Sequence, residues 1–156
     1  MSQLRDARPD DAKTLAEVQE RASVAALAHV FPADRYPYPR DAVLERWTAI
    51  LADPAARVLV AENGEVVGVS CARADWLDGL YVVPERWTSG IGSALHDRVL
   101  ELVAELGSTA CHLWVLEGNY QARRFYERRG WRENGTTRVV PYPPNPIDVG
   151  YTRELS

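Results

Sequence analysis

The stretch Tyr81-Val82-Val83-Pro84-Glu85-Arg86-Trp87-Thr88-Ser89-Gly90-Ile91-Gly92-Ser93-Ala94-Leu95 carries an apolar run into a proline, then a turn with two glycines, then the opening of a helix. A strand-to-helix junction of this kind aims unpaired backbone N–H groups and the positive helix end at one point, which suits a pyrophosphate. Gly90 and Gly92 let a phosphate approach without meeting a Cβ, although glycine serves tight turns and close helix packing equally well. Two common nucleotide motifs are excluded. No lysine follows Gly92, so this is not a P-loop, and Gly90-Ile91-Gly92 lacks the third glycine of the dinucleotide fingerprint. A different pyrophosphate ligand is indicated.

Reading outward, Ile91, Leu95, Val99, Leu102 and Leu106 step by three or four and form one helical stripe, with Gly107 placed to cap it. Upstream, the β-branched runs 57–62 and 65–71 flank Asn63-Gly64, the dipeptide that best tolerates a type I′ hairpin turn. Extended segments are expected at 2–8, 77–83, 110–115, 131–140 and 147–155. Pro9-Asp10-Asp11 starts a helix running to about residue 28, Asp41 opens a second that buries Leu44, Trp47 and Leu51, and a fourth spans 119–129. Strands alternating with helices make this an α/β (α+β) protein with a mixed sheet and helices on its faces. No repeat or composition break divides residues 1–156, so one domain is expected.

Bulk properties narrow the function. A hydrophobic content of 46% with 26% charged residues describes a folded enzyme or binding module. The net charge of −4, with basic residues interspersed among acids, argues against nucleic acid as a partner and mildly favours cationic ones. Cys71 and Cys111 sit inside strand-like runs and read as small hydrophobes, with neither a disulfide framework nor zinc spacing, so no metal is expected. The first residues lack the pattern of a signal peptide, and no apolar run of about 18 residues occurs. A cytoplasmic protein without membrane contact is the expectation.

The segment Trp87-Thr88-Ser89-Gly90-Ile91-Gly92 resembles the pyrophosphate-binding motif of the GNAT N-acetyltransferase superfamily, Gln/Arg-x-x-Gly-x-Gly/Ala, with Trp87 standing where Gln or Arg is usual. A second resemblance follows in Leu113-Trp114-Val115-Leu116-Glu117-Gly118-Asn119-Tyr120-Gln121-Ala122-Arg123-Arg124-Phe125-Tyr126, a strand and then the family's Asn-x-x-Ala-x-x-Phe-Tyr helix, before Gly130-Trp131. The resemblance implies a mostly antiparallel sheet of six to seven strands flanked by about four helices, with a splay between the fourth and fifth strands. It also implies acetyl-CoA as cosubstrate, bound by Tyr81, Val82, Val83, Thr88, Ser89, Gly90, Ile91, Gly92, Ser93, Asn119, Ala122 and Tyr126. A small-molecule or peptide amine would be the acceptor, and a homodimer stands open beside a monomer.

Residues seven apart return to within roughly 20° of one helix face, so Asn119, Ala122 and Tyr126 share a face while Phe125 points elsewhere. By resemblance Tyr126 protonates the departing thiolate, whereas without the motif it reads as a packing aromatic. By resemblance an acid on the strand before the glycine turn, or a water chain it anchors, takes a proton from the acceptor ammonium; Asp78 is the expected residue, with Asp75 second, and solvated hairpin carboxylates are the competing reading. Trp76 stands where the family often has glutamate. The oxyanion would meet a backbone N–H near Tyr81 or Val82. His96 and His112 read as structural or surface residues. Phe31, Tyr36 and Tyr38, in the proline-bounded segment 31–39, are candidates with Trp76 for the acceptor pocket, since aromatic faces attract ammonium ions. A non-catalytic acyl-CoA sensor would keep the glycine turn and discard the proton-transfer groups.

Overall fold

The computed structural model describes residues 2–155. The chain runs β1 (Gln3–Asp6), α1 (Ala12–Leu27), α2 (Arg40–Ala52), β2 (Ala56–Asn63), β3 (Glu65–Arg73), β4 (Trp76–Val82), α3 (Ile91–Glu105), β5 (Ala110–Leu116), α4 (Tyr120–Glu127), β6 (Arg132–Val139) and β7 (Ile147–Glu154). Its strands form one sheet in the order β1-β2-β3-β4-β5-β7-β6. Every pairing is antiparallel except β4 with β5. The expected mixed sheet flanked by helices is therefore present, with seven strands and four α-helices among the described residues, and β4 next to β5 as the parallel pair. No helix of the described residues is long and apolar enough to cross a membrane.

Strand alternation assigns the helices to faces. Gly68 of β3 is closed in by Leu95 and Ile91 of α3, where an added Cβ would lie 3.0 and 3.1 Å from their methyl groups. Its neighbour Val69 points the other way and pairs with Tyr81, whose ring meets Trp47 of α2 edge-on with centroids 6.5 Å apart. α3 thus lies on one face and α2 on the opposite one.

Several local details differ from the sequence reading, each for a physical reason. Only Gly64, at φ +75°, has positive φ in the β2–β3 turn; Asn63 pairs with Glu65, and a bulge at Ala61/Glu62 absorbs the tighter turn, so it is not type I′. A single 3-10 turn, Pro9–Asp11, precedes α1. Its buried Asp11 is gripped by both terminal nitrogens of Arg5 at 2.9 and 3.1 Å and accepts the Arg8 N–H at 2.7 Å. These donors hold the Asp11 carboxyl below its ordinary pKa. In α2, Trp47 and Ile50 are buried whereas Leu44 is exposed, because the helix presents only a narrow stripe to the sheet.

His96 of α3 is buried at 2% exposure, against Phe125, Tyr126 and Trp131. The Trp131 indole can only donate, and it donates to His96 Nε2 at 2.9 Å. Nδ1 must therefore carry the proton that goes to Asp97 at 2.9 Å, which fixes a neutral imidazole.

Two expectations follow. Trp47→Ala leaves a cavity between α2 and the sheet and strands its partner Gln19 Oε1, so denaturant titration should show a loss of about 3–5 kcal/mol. Burial, the largest cause, lowers the His96 pKa, opposed by Asp97. A folded-state pKa below the unfolded value of about 6.5 means that the unfolded chain binds the extra proton first. This contribution to stability is complete above about pH 6.5 and is lost as pH falls through the folded pKa; His96→Gln should flatten that limb in unfolding curves at stepped pH.

Candidate active site

β4 and β5 share one rung, Trp76 with His112, reinforced by the His112 N–H donating to Asp75 O at 2.9 Å. Beyond it the strands part, and a cavity of about 1040 Å³ opens between them, lined by 76–82 of β4 and 113–116 of β5. Backbone direction identifies which groups face the gap. The Val83 N–H donates to Val67 O at 3.0 Å on the β3 side, and Tyr81, paired with Val69, turns the same way. Alternation then points the Val82 N–H into the splay, so of Tyr81 and Val82 the latter is the open donor. The Val82 carbonyl accepts the Trp87 indole N–H at 2.7 Å, which ties the strand end to the glycine turn. That contact is what Trp87 does in the place of Gln or Arg.

At the turn, Gly90 takes φ +87° as N-cap of α3, a left-handed conformation that favours glycine. The Ala94 N–H already reaches Gly90 O, and the Ser89 N–H reaches Arg86 O. First-turn geometry leaves the amides of Ile91, Gly92 and Ser93 open at the positive helix end. A Cβ on Gly92 would touch Phe125 at an ordinary 3.5 Å, and Gly92 lines the cavity. The Ser93 hydroxyl accepts from Arg129, whose guanidinium lies 3.6 Å from the Phe125 ring centre. Val83, Thr88, Ser89, Gly90, Ile91 and Ser93 do not line the main cavity; Ser89, Gly90 and Ile91 line a separate smaller one with Arg86 and with Leu4, Ala61 and Asn63 of β1 and β2.

Across the gap stand Asn119, Ala122 and Tyr126, all lining the cavity as the helical face argument requires. Phe125 lines it too, contrary to expectation, with its ring beside Gly92. Asn119 Oδ1 caps α4 by accepting the Ala122 N–H at 3.2 Å, which leaves its NH2 group for another partner. Tyr126 is 8% exposed, and its hydroxyl has no hydrogen-bond partner among the described residues. Burial, then the neighbouring Tyr81 and Cys111, hold its proton well above the ordinary phenol pKa.

The far half of the cavity lies under α1 and α2. Asp78 is the extra residue of a bulge, since Cys71 pairs with Gly79 and Ala72 with Leu77, and the bulge aims it into the cavity. Burial raises its pKa, opposed by Arg73, Arg46 and Arg138. Asp75 is not in the lining and sits 3.5 Å from His112 Nε2. Trp76 lines the cavity and stacks on Trp114 at 6.1 Å, and Arg138 covers Trp114 at 4.5 Å. Phe31 reaches the lining, while Tyr36 packs edge-on behind it at 6.5 Å and neither Tyr36 nor Tyr38 reaches it. Sequence reading missed Trp114, Arg46, Arg73 and Arg138. Strand alternation from Cys111 would have put Trp114 opposite the core face, but no local signal marks the arginines, which three separate elements bring together.

Among the described residues no group of three or more His, Cys, Asp or Glu could hold a metal ion. A sequence profile of the Acetyltransferase (GNAT) family matches residues 21–131. An uncharacterized N-acetyltransferase of Archaeoglobus fulgidus is 36% identical over 48% of this chain and 59% of its own length. The peptidyl-lysine N-acetyltransferase YjaB of Salmonella typhimurium is 27% identical over 92% of this chain and 94% of its own. The chain thus spans about three fifths of the archaeal relative and nearly all of YjaB. In fold it is similar to a GCN5-related N-acetyltransferase of Rhodopseudomonas palustris, with TM-score 0.82, 20% identity and coverage of 99% and 96%. The PaiA N-acetyltransferase of Thermoplasma acidophilum, solved with coenzyme A, superimposes with TM-score 0.78 at 19% identity, covering 99% of each chain. The profile takes in β4, the glycine turn, β5 and α4 together, and on that match over most of its length the chain belongs to the GNAT acetyltransferase family.

Proposed function

We propose that this chain is an N-acetyltransferase that moves the acetyl group of acetyl-CoA to an amine acceptor, by direct attack with both substrates bound. The observation that carries the reading is the Tyr126 hydroxyl, on a buried ring and without a hydrogen-bond partner among the described residues, lining the same cavity as Val82, whose amide is open, and Gly92 at the start of α3. Acetyl-CoA supplies an acetyl group activated as a thioester, with a thiol as leaving group. The amides of Ile91, Gly92 and Ser93 fit its pyrophosphate, and Arg129 adds a cation beside Ser93. The Asn119 NH2 and the Val82 N–H are donors for the amide-bearing arm and for the oxygen that gains charge during attack. Asp78 takes a proton from the acceptor ammonium, a role its raised pKa suits, and Asp75 is too far off the cavity to share it. Tyr126 gives its proton to the thiolate sulfur. Burial raises the basicity of phenolate and thiolate alike, so the transfer stays matched inside a dry pocket. A sensor of acyl-CoA has no use for a phenol that faces the cleft without a partner in the protein.

Two measurements test this. Gly92→Val places methyl groups in the cavity, while its Cβ fits beside Phe125, so calorimetry should show CoA bound at least tenfold more weakly by a folded variant. CoA affinity equal to that of the unaltered chain would move the pyrophosphate away from α3. Tyr126→Phe keeps the ring and should lower turnover by about 10² to 10⁴ with CoA affinity retained. Turnover within about twofold, where chemistry limits the rate, would make Tyr126 a packing residue.

A further inference from the structure

Three arginines, Arg46, Arg73 and Arg138, and three aspartates, Asp53, Asp78 and Asp148, line the far half of the cavity, and they do not pair one to one. Arg73 lies 3.4 Å from Asp53 and 3.8 Å from Asp78, and Arg138 holds Asp148 at 2.9 Å. Arg46, projecting from α2 into the same lining, enters no ion pair among the described residues. It shares that lining with Asp78 and Tyr81, and its charge is felt at both. An acceptor carrying only an ammonium would answer Asp78 and leave Arg46 without a counter-ion. One carrying an ammonium and a carboxylate satisfies both ends, the first at Asp78 and the second at Arg46. Phe31 and Trp76 line the same cavity and supply apolar surface against which a ring could lie, while Trp114 is covered by Trp76 and Arg138.

We infer that the acceptor is a free amino acid with an aromatic or flat apolar side chain, its carboxylate held by Arg46 and its amine presented to Asp78. This rests on the acetyl-transfer reading and narrows it to one substrate class. Simple amines lack the group that Arg46 would hold, and a lysine side chain in a peptide has its charge at the tip with no carboxylate beside it.

The test compares L-phenylalanine and L-tryptophan with phenylalaninamide, phenethylamine and a short lysine-containing peptide, reading thiol release from acetyl-CoA. The amino acids should show KM at least tenfold below that of phenylalaninamide, the range in which a charge-assisted contact acts. In Arg46→Gln the amino-acid KM should rise until the two are nearly equal, with CoA affinity by calorimetry unchanged. Equal KM values for acid and amide in the unaltered chain, or a preference that survives Arg46→Gln, would overturn the assignment, as would the peptide being the best acceptor. Calorimetry of phenylalanine and phenylalaninamide against the CoA-saturated chain asks the same question without turnover. A tenfold preference for the acid there supports the pocket even if no thiol is released, in which case it is the acetyl-transfer reading that fails. Failure of both to bind overturns the pocket.

Discussion

The single rung between Trp76 and His112 is the constraint from which the rest follows. Two neighbouring parallel strands would ordinarily continue their ladder, and leaving backbone groups unpaired in a protein interior costs free energy for each group. β4 is held from the other side by β3 through Val82, and β5 is held along its whole length by β7, from Ala110 to Leu116. Each strand keeps a ladder on its other side, broken in β4 only by the bulge at Asp78, so the gap is stable although its inner edges are open. The two cores reflect the division. One gathers Leu15, Trp47, Val69 and Leu95, the other Val99, Leu113, Tyr126 and Trp131, and Leu80 packs against both.

An open edge in a sheet is a set of donors and acceptors waiting for an extended, amide-bearing chain, which is the physical reason a splayed pair suits a pantetheine arm. The glycine turn adds the anion-binding end of α3 at the mouth, and α4 adds the Asn119 NH2 and the Tyr126 hydroxyl along the opposite wall. None of these groups depends on a flexible side chain reaching far. They are fixed by strand direction, helix start and one cap, and they converge because the two strands diverge.

Legibility in the sequence followed the range of the interactions. The helix α3, the strands and the glycine turn are encoded locally, by a stripe of apolar residues, β-branched runs and residues that tolerate positive φ, so they could be read from the chain alone. The grouping of Asn119, Ala122 and Tyr126 was equally readable, since helical periodicity fixes it. The Asn63-Gly64 turn misled, because the bulge at Ala61/Glu62 depends on the pairing of two strands and not on the dipeptide. Tyr36 and Tyr38 misled for a similar reason: the segment is aromatic, yet only Phe31 is turned to the cavity by the packing of α1. The burial of His96 was hidden because its partner Trp131 is 35 residues away. Arg46, Arg73 and Arg138 were invisible as a set, being drawn from α2, β3 and β6.

At Trp87 the resemblance to the family motif lies in backbone geometry and not in the usual side chain. The family pattern places Gln or Arg there, and a tryptophan removes both the amide and the charge. What the site requires from the motif, however, is backbone: a left-handed Gly90, three open amides and a strand end held at the right distance from them. The Trp87 indole meets the last requirement directly by bonding the Val82 carbonyl, the acceptor that would otherwise face the gap unpaired. Its neighbour Val82 N–H stays free on the same side. The cation lost from the first position has a counterpart in Arg129, which reaches the helix start from the far side of α4 through Ser93 and stacks on Phe125 on the way. A cation at the helix start can thus come from another element of the fold, whereas the left-handed conformation at Gly90 cannot be supplied from elsewhere.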